Sequence, residues 1–172
     1  MQHWKKMVLV VATVVPLFTL SGCGVGSVVA RIGGGAVAGC ENRIAAGATP
    51  GWFFGEVAGV NAAGGLAGWN NNDDLYALDI IACQESSWFD HASNGSHWGR
   101  WQLSGSGGGT GLWTNAGVSW NQYWYGDGQR NDGQWQDWAA NNYIWNRYAN
   151  AGPFPGDAPM NAVWHEANYN WY

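Results

Sequence analysis

Thirteen of the chain's 14 tryptophans lie beyond residue 50. Rings of that size either fill a core or face a ligand, so the folded part of the chain belongs there. The 172 residues leave room for one domain plus a leader, and not comfortably for two. Only 11% of residues are charged and the formal net charge is −5, which argues against a nucleic-acid partner, because phosphate binding needs a basic surface.

The first residues have the form of an export signal. Lys5 and Lys6 make a short positive region, and residues 7–20 are apolar. That run falls short of the roughly 20 residues a bilayer span needs. It ends in Leu20-Ser21-Gly22-Cys23, which resembles the lipobox of bacterial lipoproteins. The resemblance implies a signal peptide over residues 1–22. Cys23 is then lipidated, and its acyl chains hold the protein to the outer face of the cell membrane. Ordinary cleavage and secretion is the alternative. Without the leader, five arginines face 12 acids and no lysine remains. Cys40 and Cys83 are then left in an oxidising compartment, where a bridge is expected and two free thiols are the alternative.

Residues 23–66 are rich in Gly, Ala and Val, with few charges and no long periodic pattern. They read as a tether, with a packed piece around Trp52-Phe53-Phe54 and its second half stapled to the domain through Cys40. The domain proper is expected over 67–172. Asn70 to Asp74 make a helix start, and Leu75, Leu78 and Ala82 continue it as an amphipathic helix ending near Glu85. Residues 86–130 are read as loops with at most short strands or turns, and the glycines at 105 and 107–109 as a flexible loop. Helices are expected from Gln134 to Asn150 and from Pro159 to Ala167, with Gly152-Pro153 between them. The fold class is mainly α, with a long irregular Gly- and Trp-rich middle.

Glu85 is the residue with a chemical case. A carboxylate at a helix C-terminus meets the negative end of the dipole, and Cys83, Trp88 and Phe89 can supply an apolar wall. Both effects favour the protonated acid, which a glycosidic oxygen needs as its proton donor. On placement alone, a solvated glutamate at a helix end is the plainer reading.

The surrounding residues shift that balance. Ala82-Cys83-Gln84-Glu85-Ser86-Ser87-Trp88 is followed by Gly99-Arg100-Trp101-Gln102-Leu103, with Gln102 standing 17 residues after Glu85. This resembles the catalytic stretch of soluble lytic transglycosylase domains, in the goose-type-lysozyme-like group. The cysteine before the glutamate and the Trp-rich domain are also similar to resuscitation-promoting factors. Residues 143–148, 162–165 and 171–172 resemble the ends of small secreted domains of this kind. The resemblance implies a small lysozyme-like domain with Glu85 as acid and then base. It implies Ser86 and Gln102 as substrate contacts and Gly99 as a point of close backbone approach. Arg100 and Trp101 replace the apolar pair usual between that Gly and Gln. Tyr169 and Asn170 match the start of the family's Tyr-Asn-Ala-Gly motif, but Trp171-Tyr172 follows in place of Ala-Gly. The tyrosine near Glu85 is therefore left open.

The resemblance implies cleavage of the β-1,4 bond between N-acetylmuramic acid and N-acetylglucosamine, without a cofactor and by a monomer. Hydrolysis of the same bond and glycan binding without turnover are the alternatives. Most glycosidases use two carboxylates. Asp90, Asp127 and Asp132 are candidates for the second, and turn or solvated roles are expected for all three. Trp135, Trp138 and Trp145 read as helix core, whereas Trp98 and Trp101 read as sugar-stacking residues. His91, His97 and His165 show no ligand spacing, so no metal is expected.

Overall fold

The computed structural model describes residues 37–64, 69, 72–105 and 111–169. The leader 1–22, Cys23, the glycines at 107–109 and Asn170 lie outside these residues. Among the described residues there are seven helices and one two-stranded antiparallel sheet, a mainly α fold as expected. The helices are α1 (Ala38–Ala45), α2 (Phe53–Gly64), α3 (Asn72–Ser86), α4 (Leu112–Asn115), α5 (Trp120–Tyr125), α6 (Asp132–Tyr148) and α7 (Ala158–Tyr169). The strands are β1 (His97–Trp98) and β2 (Leu103–Ser104), with His97 opposite Ser104 and Trp98 opposite Leu103. Among the described residues no helix is long and apolar enough to cross a membrane.

α3 is the centre of the domain. It was expected to be amphipathic, yet Tyr76 through Cys83 are all buried. The reason is the segment read as a tether. Residues 38–64 form two helices that close over α3, with Val37, Phe53 and Val57 fully enclosed in the core. The bridge is present: Cys40 on α1 and Cys83 on α3 are disulfide-bonded, with Cα atoms 5.8 Å apart. Asp79 is tolerated at the centre of α3 because Thr49 Oγ1 and Trp88 Nε1 each donate to it at 2.6 Å. α7 packs directly on α3, and α6 packs on α2 and α7.

The middle segment is more ordered than its composition predicts. α5 begins with a capping box in which Ser119 Oγ accepts from Gln122 N and Gln122 Oε1 accepts from Ser119 N. Trp120 and Trp124, one turn apart, stack at 5.2 Å, and Trp98 meets both edge-on at 5.3 and 5.4 Å. Trp113 on α4 lies 4.9 Å from Tyr123. The indole rings that look like loop material in the sequence are the packing surface that holds two short helices against β1.

Asn131 and Gln134 form a second capping box, so α6 starts two residues before the expected Gln134. Trp135 belongs to the core, and Trp138 and Trp145 pack half-buried against it.

Candidate active site

Glu85 occupies the last turn of α3 and is half-buried. Burial, and then the charge of Glu166, push its carboxyl up to about 8. Glu166 comes from α7, is 2% exposed, and its Oε2 has no hydrogen-bond partner among the described residues. Burial raises its carboxyl to about 7. Tyr143 on α6 completes the group. Burial raises its phenol first, a hydrogen bond from Tyr148 and the charge of Arg147 lower it, and the charge of Glu85 raises it again. Three helices thus bring one half-buried acid, one enclosed acid and one phenol within reach of one another's charges.

The chain leaves α3 through a constrained turn. Ser87 and Trp88 both have positive φ, at 54° and 65°, although neither is glycine. Such residues cost on the order of 1 kcal/mol or more each and persist only when their surroundings fix them. Here the surroundings do. Ser87 N and Trp88 N donate to Cys83 O and Ala82 O, Arg43 Nη1 donates to Ser87 Oγ at 3.0 Å, and the Trp88 indole is tied to Asp79. Ser86 Oγ donates to Arg100 O at 2.8 Å and accepts from Phe89 N. Ser86 therefore ties the Glu85 helix end to the hairpin.

The 99–102 turn has a structural role that its resemblance did not imply. Arg100 is 1% exposed and binds three carboxylates: Asp90 at 2.7 Å, Glu56 at 2.9 Å and Asp137 at 3.3 Å. Its guanidinium also lies 4.4 Å from the Trp52 ring centre. Trp101, expected to contact sugar, is fully buried. Its indole donates to Asp137 at 2.7 Å and its ring lies 6.2 Å from Phe53. It is a core residue, because α2 covers the face that a tether would have left open. Gln102 is 9% exposed and its Nε2 donates to Gly99 O and Ala92 O, so its amide closes the turn. A side chain at Gly99 would meet Gln136 Oε1 at 2.6 Å and Tyr123 Oη at 2.7 Å. With φ at 79°, the glycine is explained by packing inside the protein.

Trp98 remains half-exposed, its indole donating to Gly105 O at 2.8 Å. Tyr169 is 55% exposed on α7, its ring tilted against that of His165 at 4.7 Å. The tyrosine that feels the Glu85 charge is Tyr143. Asp90, Asp127 and Asp132 stay in other roles: Asp90 on Arg100, Asp132 2.9 Å from His91, and Asp127 capping the loop before α6. Nothing in the sequence marks Glu166 as a neighbour of Glu85. Its partner in space stands 81 positions away, and the resembling stretch 162–165 stops one residue short of it.

Beside Tyr143, between α4 and α6, lies a cavity of about 220 Å³ lined by Leu112, Asn115, Asn142, Tyr143, Asn146 and Arg147. Among the described residues no group of three His, Cys, Asp or Glu side chains is placed to hold a metal ion. The chain matches no family model, no curated protein and no solved structure.

Proposed function

We propose that the protein is a peptidoglycan lytic transglycosylase that cleaves the bond between N-acetylmuramic acid and N-acetylglucosamine, with Glu85 as its acid and base. The observation that carries the reading is the placement of Glu85: a half-buried carboxyl in the last turn of α3, pushed up to about 8 by burial and by the charge of Glu166. An acid of that kind can protonate a glycosidic oxygen at neutral pH.

The steps follow from that one group. Glu85 gives its proton to the bridging oxygen as the bond from C1 to that oxygen breaks. The acetamido group of the muramic acid stabilises C1. The Glu85 carboxylate, held at high energy by burial and by Glu166, then takes the proton of the sugar's C6 hydroxyl. The C6 oxygen closes on C1, forming the anhydro ring. Glu85 regains its proton and no water is consumed.

Glu166 does not take the part of the second glycosidase carboxylate. At 2% exposure it cannot reach a sugar, and it acts on Glu85 instead. A hydrolase on the same bond would need a group on the other face of C1 or a bound water, so the transglycosylase reading asks less of the site. The half-exposed Trp98 offers a ring for the apolar face of a sugar, and the lipobox-like run ending at Cys23 supports a site of action outside the membrane, where the glycan lies.

The test is solubilisation of purified peptidoglycan by the full chain, kept in detergent. Wild type should release soluble fragments. Glu85→Gln should lose at least about a hundredfold in rate, as removal of a general acid does, while still binding the polymer. Equal binding and no release by either protein would leave a glycan-binding lipoprotein.

A further inference from the structure

We propose that the cavity between α4 and α6 is a carboxylate-binding subsite, with Arg147 as its anchor, that takes an acidic group of the peptide stem on the substrate glycan. This rests on the peptidoglycan reading above and adds a specificity determinant to it.

The cavity walls are chemically selective. Asn142, Tyr143, Asn146 and Arg147 are spaced at i, i+1, i+4 and i+5 on α6, so they lie on one helix face. Leu112 and Asn115 face them from α4. Three amides, one phenol and one guanidinium line the space, and no acid does. A wall of that kind repels no anion and offers several N–H donors to one. A guanidinium is also the side chain best shaped to hold a carboxylate through two hydrogen bonds.

Arg147 is held where the cavity needs it. Its guanidinium carbon sits 5.6 Å from the Tyr143 ring centre and 5.5 Å from that of Tyr148. The rings fix a long, exposed side chain that would otherwise lose entropy on binding. The other described arginines stand elsewhere: Arg43 lies over Trp88, Arg130 over Trp135 and Trp138, and Arg100 among its three acids, and none of them lines the cavity. In a chain of net negative charge, a cation on a cavity wall attracts acidic groups to that point.

Size and position identify the ligand. At about 220 Å³ the cavity is smaller than pockets that enclose whole drug-sized ligands, and suits a single acidic residue on a tether. Tyr143 lines the cavity and also lies within reach of the Glu85 charge. Tyr143 is therefore shared by the cavity and the group around Glu85, so a ligand there lies on the side of the domain where the proposed function puts the reacting bond. On a peptidoglycan strand, the substituent next to that bond is the lactyl-linked peptide, which carries free carboxylates.

The experiment compares two substrates and two proteins. Glycan strands bearing peptide stems, and the same strands with stems removed by an amidase, are digested by the full-length wild type and by Arg147→Gln. Tryptophan fluorescence separately follows titration with free stem peptide and with its fully amidated form. The proposal expects wild type to favour stem-bearing strands by about tenfold, the worth of one charge-assisted hydrogen bond. Arg147→Gln should bring that ratio near one, and Arg147→Lys should restore part of it. Cleavage of both substrates at one rate by both proteins would overturn the subsite and leave the proposed function standing. If wild type cleaves neither substrate, the function fails and the titration decides the subsite. Binding of the acidic peptide over its amide, lost in Arg147→Gln, supports it, and no such difference overturns it.

Discussion

Glu166 stands enclosed behind Glu85, and its charge adds to burial in keeping the Glu85 carboxyl protonated. The pair joins the end of α3 to the middle of α7. It makes Glu85 a weaker acid when protonated and a stronger base once ionised.

Replacing Glu166 with Gln removes the charge and keeps the shape. The Glu85 pKa should then fall from about 8 while staying above its ordinary value, because burial is the larger cause. The alkaline limb of the pH–rate profile should move down in pH by roughly one unit, a size typical of a neighbouring like charge. A purely structural role for Glu166 would lower activity at all pH values and leave the limb in place.

The same two acids contribute to how stability varies with pH. Both have folded pKa values above the ordinary glutamate value of 4.5, near 8 for Glu85 and near 7 for Glu166. Between those limits the folded state holds more protons than the unfolded state, so stability falls as pH rises from about 4.5 to 8. Glu85→Gln should abolish activity and yet stabilise the protein at pH 8, on the order of 1–2 kcal/mol, since each pKa unit is worth about 1.4 kcal/mol and Glu85 is part-exposed. Urea unfolding at pH 5 and pH 8 measures it; the gain should vanish at the lower pH.

The disulfide fastens α1 over α3 across a separation of 43 residues. In the chain-entropy description, a loop of that length contributes roughly 4 kcal/mol. Replacing Cys40 and Cys83 together with Ser should lower the urea midpoint accordingly. Adding reductant should then shift the wild type and leave the double variant unchanged.

Arg100 sets its guanidinium among Glu56, Asp90 and Asp137. Arg100→Gln should destabilise by about 3–5 kcal/mol, because it leaves the fully buried Asp137 and two part-buried acids without this cation. Thermal unfolding reads this. A loss below about 1 kcal/mol, the size typical of a surface ion pair, would mean that solvent screens the cluster.

The long helices were legible because their signals are local. α6 and α7 follow from periodicity and the Gly152-Pro153 break, and Glu85 from its place at a helix end beside Ser86. α1 and α2 were missed because Gly and Ala carry little pattern, and what makes them helical is the cover they give α3. Trp101 and Gln102 have the residue types of a sugar contact, but their surroundings come from Asp137 and Ala92. Nothing near either residue in the sequence reveals those partners. α5 did leave a local trace, the Ser119-x-x-Gln122 capping box ahead of Trp120, Tyr123 and Trp124. Glu166 left none.

The central claim concerns what happens to C1 after Glu85 gives up its proton, and the end group of the product records it. Purified peptidoglycan digested by the full chain and by Glu85→Gln should be compared by mass spectrometry of the soluble fragments. The account predicts fragments with anhydro-muramic ends, one water lighter than the hydrolysed form, from wild type and not from Glu85→Gln. Reducing ends from wild type would contradict it and make the protein a hydrolase.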